Sequence, residues 1–115
     1  MFLSQTAQLV QARHKVAERI VVYWRDIPAQ VMVRIGRRAE RRELPERFIQ
    51  AIDRAAMRVG ARDSDSYLAQ WRRGAPELCG DDLVAEADAA LLMLTEEYDS
   101  TAVETLVLNG GYAPA

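Results

Sequence analysis

The sequence predicts an α+β domain: a small antiparallel sheet, a β-hairpin or three strands, followed by three or four helices packed on one face. Three observations predict it. β-branched and aromatic residues concentrate in residues 20–25 and again in residues 30–35. Beyond Pro45 the apolar residues recur instead every three or four positions. All the strand-like segments precede the helix-like ones, an order that suits a sheet covered by helices.

Residues 1–17 read as an N-terminal extension, weakly helical or disordered, because Leu9 and Val10 offer only a thin apolar face. Ile20-Val21-Val22-Tyr23-Trp24-Arg25 and Gln30-Val31-Met32-Val33-Arg34-Ile35 form the predicted hairpin. Its turn is placed at Asp26-Ile27-Pro28-Ala29, where Pro28 supplies a fixed φ and Asp26 accepts a hydrogen bond from a following N–H. Val31, Val33 and Ile35 alternate with Met32 and Arg34, which predicts one core face and one wetter face. Gly36 ends the strand, and residues 37–44 are charged enough to suit a third, exposed edge strand.

Pro45 suits the first position of a helix and Glu46 its first turn, with Phe48, Ile52, Ala55 and Val59 on one stripe up to Gly60. Ser64 is placed to cap a short helix carrying Tyr67, Leu68 and Trp71, stopped by Gly74 and Pro76. Asp81 or Asp82 starts a longer helix with Leu83, Ala87, Leu91, Leu94 and Tyr98 on one side. Val103, Leu106 and Val107 continue or resume that helix until Asn109-Gly110-Gly111, and residues 111–115 are expected as a disordered tail. The domain proper therefore covers residues 18–110.

The chain has 115 residues, half of them apolar, with one cysteine and one histidine. An intrachain disulfide is excluded, and no Cys/His set exists for a four-ligand zinc site. No apolar run reaches the roughly 20 residues of a membrane span, so a cytoplasmic protein without a membrane partner is expected. Net charge is only −2, but residues 1–74 hold all 15 bases against 8 acids and residues 75–115 hold 9 acids and no base. Such halves either attract each other or steer a partner.

Two groups stand out as candidate contact residues. Arg34, Arg37, Arg38, Arg41, Arg42 and Arg47 crowd into fourteen residues, interleaved with Glu40, Glu43 and Glu46. Guanidinium forks suit carboxylate or phosphate, but the glutamates and a pI near 5.4 disfavour nucleic acid. Tyr23, Trp24, Arg25 and Asp26 place two aromatics and an ion pair beside the turn, and alternation sends the rings to opposite faces, so one of them is either covered or an exposed partner anchor. Tyr23, Trp24, Arg25, Asp26, Arg34, Arg37, Arg38 and Arg41 are the expected partner- or anion-binding residues. Cys79 lacks a nearby base and reads as a small apolar residue, and Asp82 with Glu86 reads as helix capping. Gly36, Gly60, Gly74 and Gly80 stand singly, without a phosphate-loop or dinucleotide pattern. No catalytic residue, metal ligand or cofactor is expected.

The run Tyr23-Trp24-Arg25-Asp26-Ile27-Pro28-Ala29-Gln30-Val31, with Arg47-Phe48-Ile49-Gln50-Ala51-Ile52-Asp53 and Tyr67-Leu68-Ala69-Gln70-Trp71-Arg72-Arg73-Gly74, resembles a small bacterial family known only as virulence factor proteins. The resemblance covers residues 18–110, including Gly80-Asp81-Asp82 and the acidic, alanine-rich segment after it, and leaves out residues 1–17. Longer relatives join a similar domain to iron–sulfur-scaffold-like and helical-repeat segments, and free-standing members are often encoded near folate and one-carbon genes. The resemblance thus implies an accessory role, by analogy.

The expected function is a non-catalytic binding or accessory module that contacts a protein partner through the hairpin around Trp24 and the adjacent arginines. The alternative is a small subunit or enzyme of one-carbon, folate or iron–sulfur metabolism that binds an anionic small molecule.

Overall fold

The structure, a computed structural model, describes residues 16–61 and 65–115. The predicted hairpin forms, with longer strands and a tighter turn. Strand β1 spans Ala17–Trp24 and β2 spans Ile27–Ile35, so Arg25 and Asp26 alone make the turn. Two-residue hairpin turns match the twist of their strands by taking positive φ, and Arg25 sits at φ 54°. Pro28, expected in the turn, instead lies inside β2 opposite Tyr23. Val22 pairs with Gln30 and Tyr23 with Pro28, which leaves Ala29 as an extra residue in β2. Such an irregularity is where a sheet accepts a residue with no N–H to give.

Strand β3, Arg38–Glu43, pairs with β2 and forms the predicted exposed edge. Two further strands carry no pattern of their own: β4, Trp71–Arg73, and β5, Glu77–Cys79. Both pair with the other side of β1, at Val22–Trp24 and Ala17–Arg19, giving the order β3-β2-β1-β4 with β5 beside β4 along β1. Trp71 therefore belongs to an edge strand and not to the short helix, and the Gly74-Ala75-Pro76 break shifts the register by one residue.

The described residues form four helices: α1, Glu46–Arg58; α2, Asp65–Ala69; α3, Leu83–Glu97; and α4, Ser100–Leu108. Pro45 is the residue before α1 and not its first. Asp82 caps α3 by accepting from the Ala85 N–H at 3.1 Å. The last apolar stripe resolves into two helices because Asp99 caps a fresh one, accepting from the Ala102 N–H at 2.9 Å. Gly60 and Gly110, at φ 72° and 71°, let the chain leave α1 and α4 in left-handed conformation. The predicted cap Ser64 and residues 1–15 lie outside the described residues.

The main core joins Trp24, Ile27 and Val31 of the sheet to Phe48, Ile52 and Ala55 of α1, to Ala90 and Leu94 of α3, and to Val103, Leu106 and Val107 of α4. A second cluster sets Ala17 and Val33 against Leu83 and Ala87. Val59, expected on the buried stripe, is 41% exposed because it sits at the helix end. Met32, expected on the wetter face, is only 5% exposed, and it lies opposite the equally buried Ile20. Both faces of the middle of β2 are thus apolar. Among the described residues no helix is long and apolar enough to cross a membrane.

Candidate functional site

Tyr23 and Trp24 differ in exposure, Tyr23 being half-buried. Trp24 is the covered one. It is fully buried, its Nε1 donates to the Tyr67 carbonyl at 2.9 Å, and its ring lies 5.7 Å from that of Tyr67. The indole is therefore no exposed anchor, and only Tyr23 keeps an accessible face.

Arg25 holds the turn from inside. Its guanidinium sits 5.1 Å from the Trp24 ring centre and 4.6 Å from that of Tyr112, and its Nη1 donates to the Gly110 carbonyl at 2.8 Å. Two ring faces and a carbonyl favour the cation, while its buried Nε has no hydrogen-bond partner among the described residues. Backbone bonds complete the turn: Arg25 N–H donates to the Gln70 carbonyl at 3.0 Å and Asp26 N–H to the Gly111 carbonyl at 2.8 Å.

Asp26 does not accept from a following turn N–H. Its carboxylate accepts from the Ala113 N–H at 2.7 Å and from Arg72 Nη2 at 2.9 Å. Residues 111–113, expected to be disordered, are thereby tied to the turn by one backbone hydrogen bond, one bond to the Asp26 carboxylate and a stacked ring. Nothing local in Tyr112 or Ala113 announces this, because the partners lie 87 residues away in sequence.

Beside this clasp a cleft of about 380 Å³ is lined by Tyr23, Asp26, Arg72, Gly74, Tyr98 and Leu106, among others. Arg72 lies 4.4 Å from the Tyr23 ring centre and also donates to the Arg25 carbonyl at 2.9 Å. Burial pushes the Tyr23 phenol up, Arg72 opposes the shift, and the Glu97 and Glu77 carboxylates add to it. Burial likewise pushes Tyr98 up, with Tyr23 adding to it. Arg72 and Tyr98 are cleft residues that no sequence signal marked as such, although Arg72 stands in the Trp71-Arg72-Arg73-Gly74 run.

The geometry divides the arginine-rich stretch. Arg42 bonds Glu40 at 2.9 Å and Asp88 of α3 at 2.8 Å, and Arg34 lies 3.4 Å from Glu18. Arg47 donates to the Tyr98 and Thr95 carbonyls at the end of α3, at 2.8 and 3.0 Å. Arg37, Arg38 and Arg41 are exposed and form no ion pair among the described residues. Arg37 and Arg38 border a groove of about 550 Å³ whose far wall is Asp81, Asp82, Leu83 and Val84.

A family model described as Virulence factor matches residues 22–107, from inside β1 to the last turn of α4. The chain belongs to the virulence factor family. The family match takes in the turn, the cleft-lining Arg72 and Tyr98, and all six clustered arginines, and it stops before the Gly110–Ala113 clasp. No curated protein and no solved structure matches the chain.

Within this virulence factor domain Cys79 sits in β5, packed against the second cluster, and burial followed by the Glu86 carboxylate pushes its thiol up. That is the opposite of what a nucleophile needs. Asp82 and Glu86 act on the backbone: Asp82 caps α3, and Glu86 accepts from the Gly80 N–H at 3.2 Å. Among the described residues no group of three or more His, Cys, Asp or Glu is placed to hold a metal ion.

Proposed function

We propose that this virulence factor domain is a binding module, not a catalyst, and that it engages an acidic surface of a protein partner through the tip of the β2–β3 hairpin. Arg37, Arg38 and Arg41 are the contact residues. One observation carries the reading. Of six clustered arginines, Arg34, Arg42 and Arg47 are committed to groups of the domain itself, while Arg37, Arg38 and Arg41 are exposed and form no ion pair among the described residues. Guanidinium groups held on a strand and turn make charge-assisted, often bidentate contacts with partner carboxylates. Trp24 and Arg25 drop out of the contact surface, because both are used to hold the turn.

The test is a pull-down of the tagged full chain from native lysate, compared with the Arg37→Glu, Arg38→Glu, Arg41→Glu triple variant. A stoichiometric partner should be lost with the three charges while the melting temperature holds. Retention of that partner by the variant would overturn the assignment.

The cleft at Tyr23, Arg72 and Tyr98 supports a second reading, in which an anionic small molecule binds there and the domain serves as a subunit of one-carbon, folate or iron–sulfur metabolism. It ranks second because Arg72 is already bonded to Asp26, and Glu77 and Glu97 lie near the phenol of Tyr23. A metabolite screen by thermal shift tests it, with Arg72→Ala as the variant that should abolish any shift.

A further inference from the structure

We propose that the groove beside the β2–β3 hairpin tip takes a short segment of the protein partner that carries a carboxylate and, within a few residues, a basic side chain. The carboxylate meets Arg37 and Arg38, and the base meets Asp81. This deepens the binding reading above and rests on it.

The β2–β3 register and the second apolar cluster build the groove together. Arg38 lies opposite Ile35, Glu40 opposite Val33 and Arg42 opposite Val31. Val33 clusters with Leu83 and Ala87 of α3, so the alternate residues Arg38, Glu40 and Arg42 stand on the face that α3 covers. Arg42 Nε holds Asp88 at 2.8 Å and fixes the helix beside the strand. The first turn of α3 thus comes next to the hairpin tip. The groove of about 550 Å³ opens between them, with Arg37 and Arg38 on one wall and Asp81, Asp82 and Val84 on the other. Arg41, opposite Met32, belongs to the other face of the sheet and meets the partner outside the groove.

The two walls are oppositely charged, yet they do not bridge. Two of the acids are used within the domain: Glu40 accepts from Arg42 Nη1 at 2.9 Å, and Asp82 caps α3. Arg37, Arg38 and Asp81 are exposed and form no ion pair among the described residues.

This arrangement sets what the groove accepts. A segment bearing only carboxylates brings some of them against Asp81 and Asp82, and one bearing only bases brings some against Arg37 and Arg38. Like charges brought together reject both. A segment of mixed sign meets a counter-charge on each wall, with the guanidinium forks suited to its carboxylate. Val84, 51% exposed, adds an apolar contact on the aspartate side. The charged, exposed lining resembles the rim of a protein interface, whereas sites for free small molecules are mostly apolar and enclosed. A protein segment is therefore the occupant.

The test titrates fluorescently labelled eight-residue peptides with the full chain at low salt and reads anisotropy. The mixed peptides carry two glutamates and one lysine in a glycine–serine background, with one, two or three residues between the acidic pair and the base. The controls carry three glutamates or three lysines. At least one mixed peptide should bind about fivefold tighter than the triple-glutamate peptide, although it carries less negative charge. Arg37→Gln combined with Arg38→Gln should abolish binding. Asp81→Asn, which leaves the Asp82 cap in place, should erase the preference for mixed peptides, while Arg73→Gln, at an exposed arginine of β4, should keep it. Equal or tighter binding of the triple-glutamate peptide, or a preference that survives Asp81→Asn, would overturn the two-walled groove. Absence of binding by every peptide would overturn the segment chemistry. The binding reading itself fails separately, when the pull-down partner survives the triple glutamate variant. A dimer by sedimentation that both Arg38→Gln and Asp81→Asn dissociate would place a second copy in the groove, against the proposal.

Discussion

Trp24 and Tyr67 are joined by an indole N–H that donates to a backbone carbonyl at 2.9 Å, with their rings 5.7 Å apart. The bond ties the short helix α2 to the end of β1 and closes the core over the hairpin turn. Deleting a buried aromatic side chain costs the lost burial and leaves a cavity. Trp24→Ala should therefore destabilise the domain by about 3 to 5 kcal/mol in urea unfolding. Trp24→Phe should cost less and leave the Tyr67 carbonyl without its donor, a loss of about 1 to 3 kcal/mol. A Trp24→Ala variant as stable as the wild type would contradict the buried position.

Gly111 approaches the same ring. It adopts φ 97°, and a Cβ there would lie 2.9 Å from Trp24 Cζ3 and 3.2 Å from Arg25 Cδ. Both the backbone and the packing oppose any side chain. Gly111→Ala should lower stability by about 1 to 3 kcal/mol and weaken the amide-exchange protection of Asp26, whose N–H donates to the Gly111 carbonyl. Unchanged protection would show that residues 111–113 do not hold the turn.

The two classes of arginine should separate in stability measurements. Arg47→Ala removes two donors from the carbonyls that end α3, at Tyr98 and Thr95, and should cost about 1 to 2 kcal/mol. Arg37→Ala and Arg41→Ala leave no group unpaired and should stay within about 0.5 kcal/mol of the wild type. Equal losses at all three positions in thermal melts would refute the division.

Alkaline pH should weaken the fold through Tyr23 and Tyr98. Both phenols are pushed above their ordinary value, first by burial. Below about pH 10 the phenol is protonated in the folded and unfolded chains alike, and stability does not depend on it. Above that the unfolded chain ionises first, so stability falls as pH climbs toward the raised folded values. Urea unfolding between pH 8 and 11 should show this decline, and Tyr23→Phe should make it shallower. An identical decline in the variant would remove Tyr23 as a cause.

The local pattern of the sequence determined much of this molecule. A run of β-branched and aromatic residues specified β1, alternation specified β2 and a run of charge specified the edge β3, because strand period and charge are written in consecutive residues. The stripe of Phe48, Ile52 and Ala55 specified α1, and the aspartate at position 82 specified the start of α3, because caps and helical period are also local. The runs around Trp24, Phe48 and Trp71 were enough to point to the family. Tertiary structure alone decided the rest. β4 and β5 exist because β1 offers them backbone partners, and three residues are too few to carry a period. Trp24 rather than Tyr23 entered the core because α2 and the chain end close over that side of the turn. Arg42 and Arg37 read alike in sequence, yet one meets Asp88 on a helix 46 residues away and the other forms no ion pair among the described residues. Side-chain type sets what a guanidinium can bond, but the packing of distant elements decides which guanidinium is left for a partner.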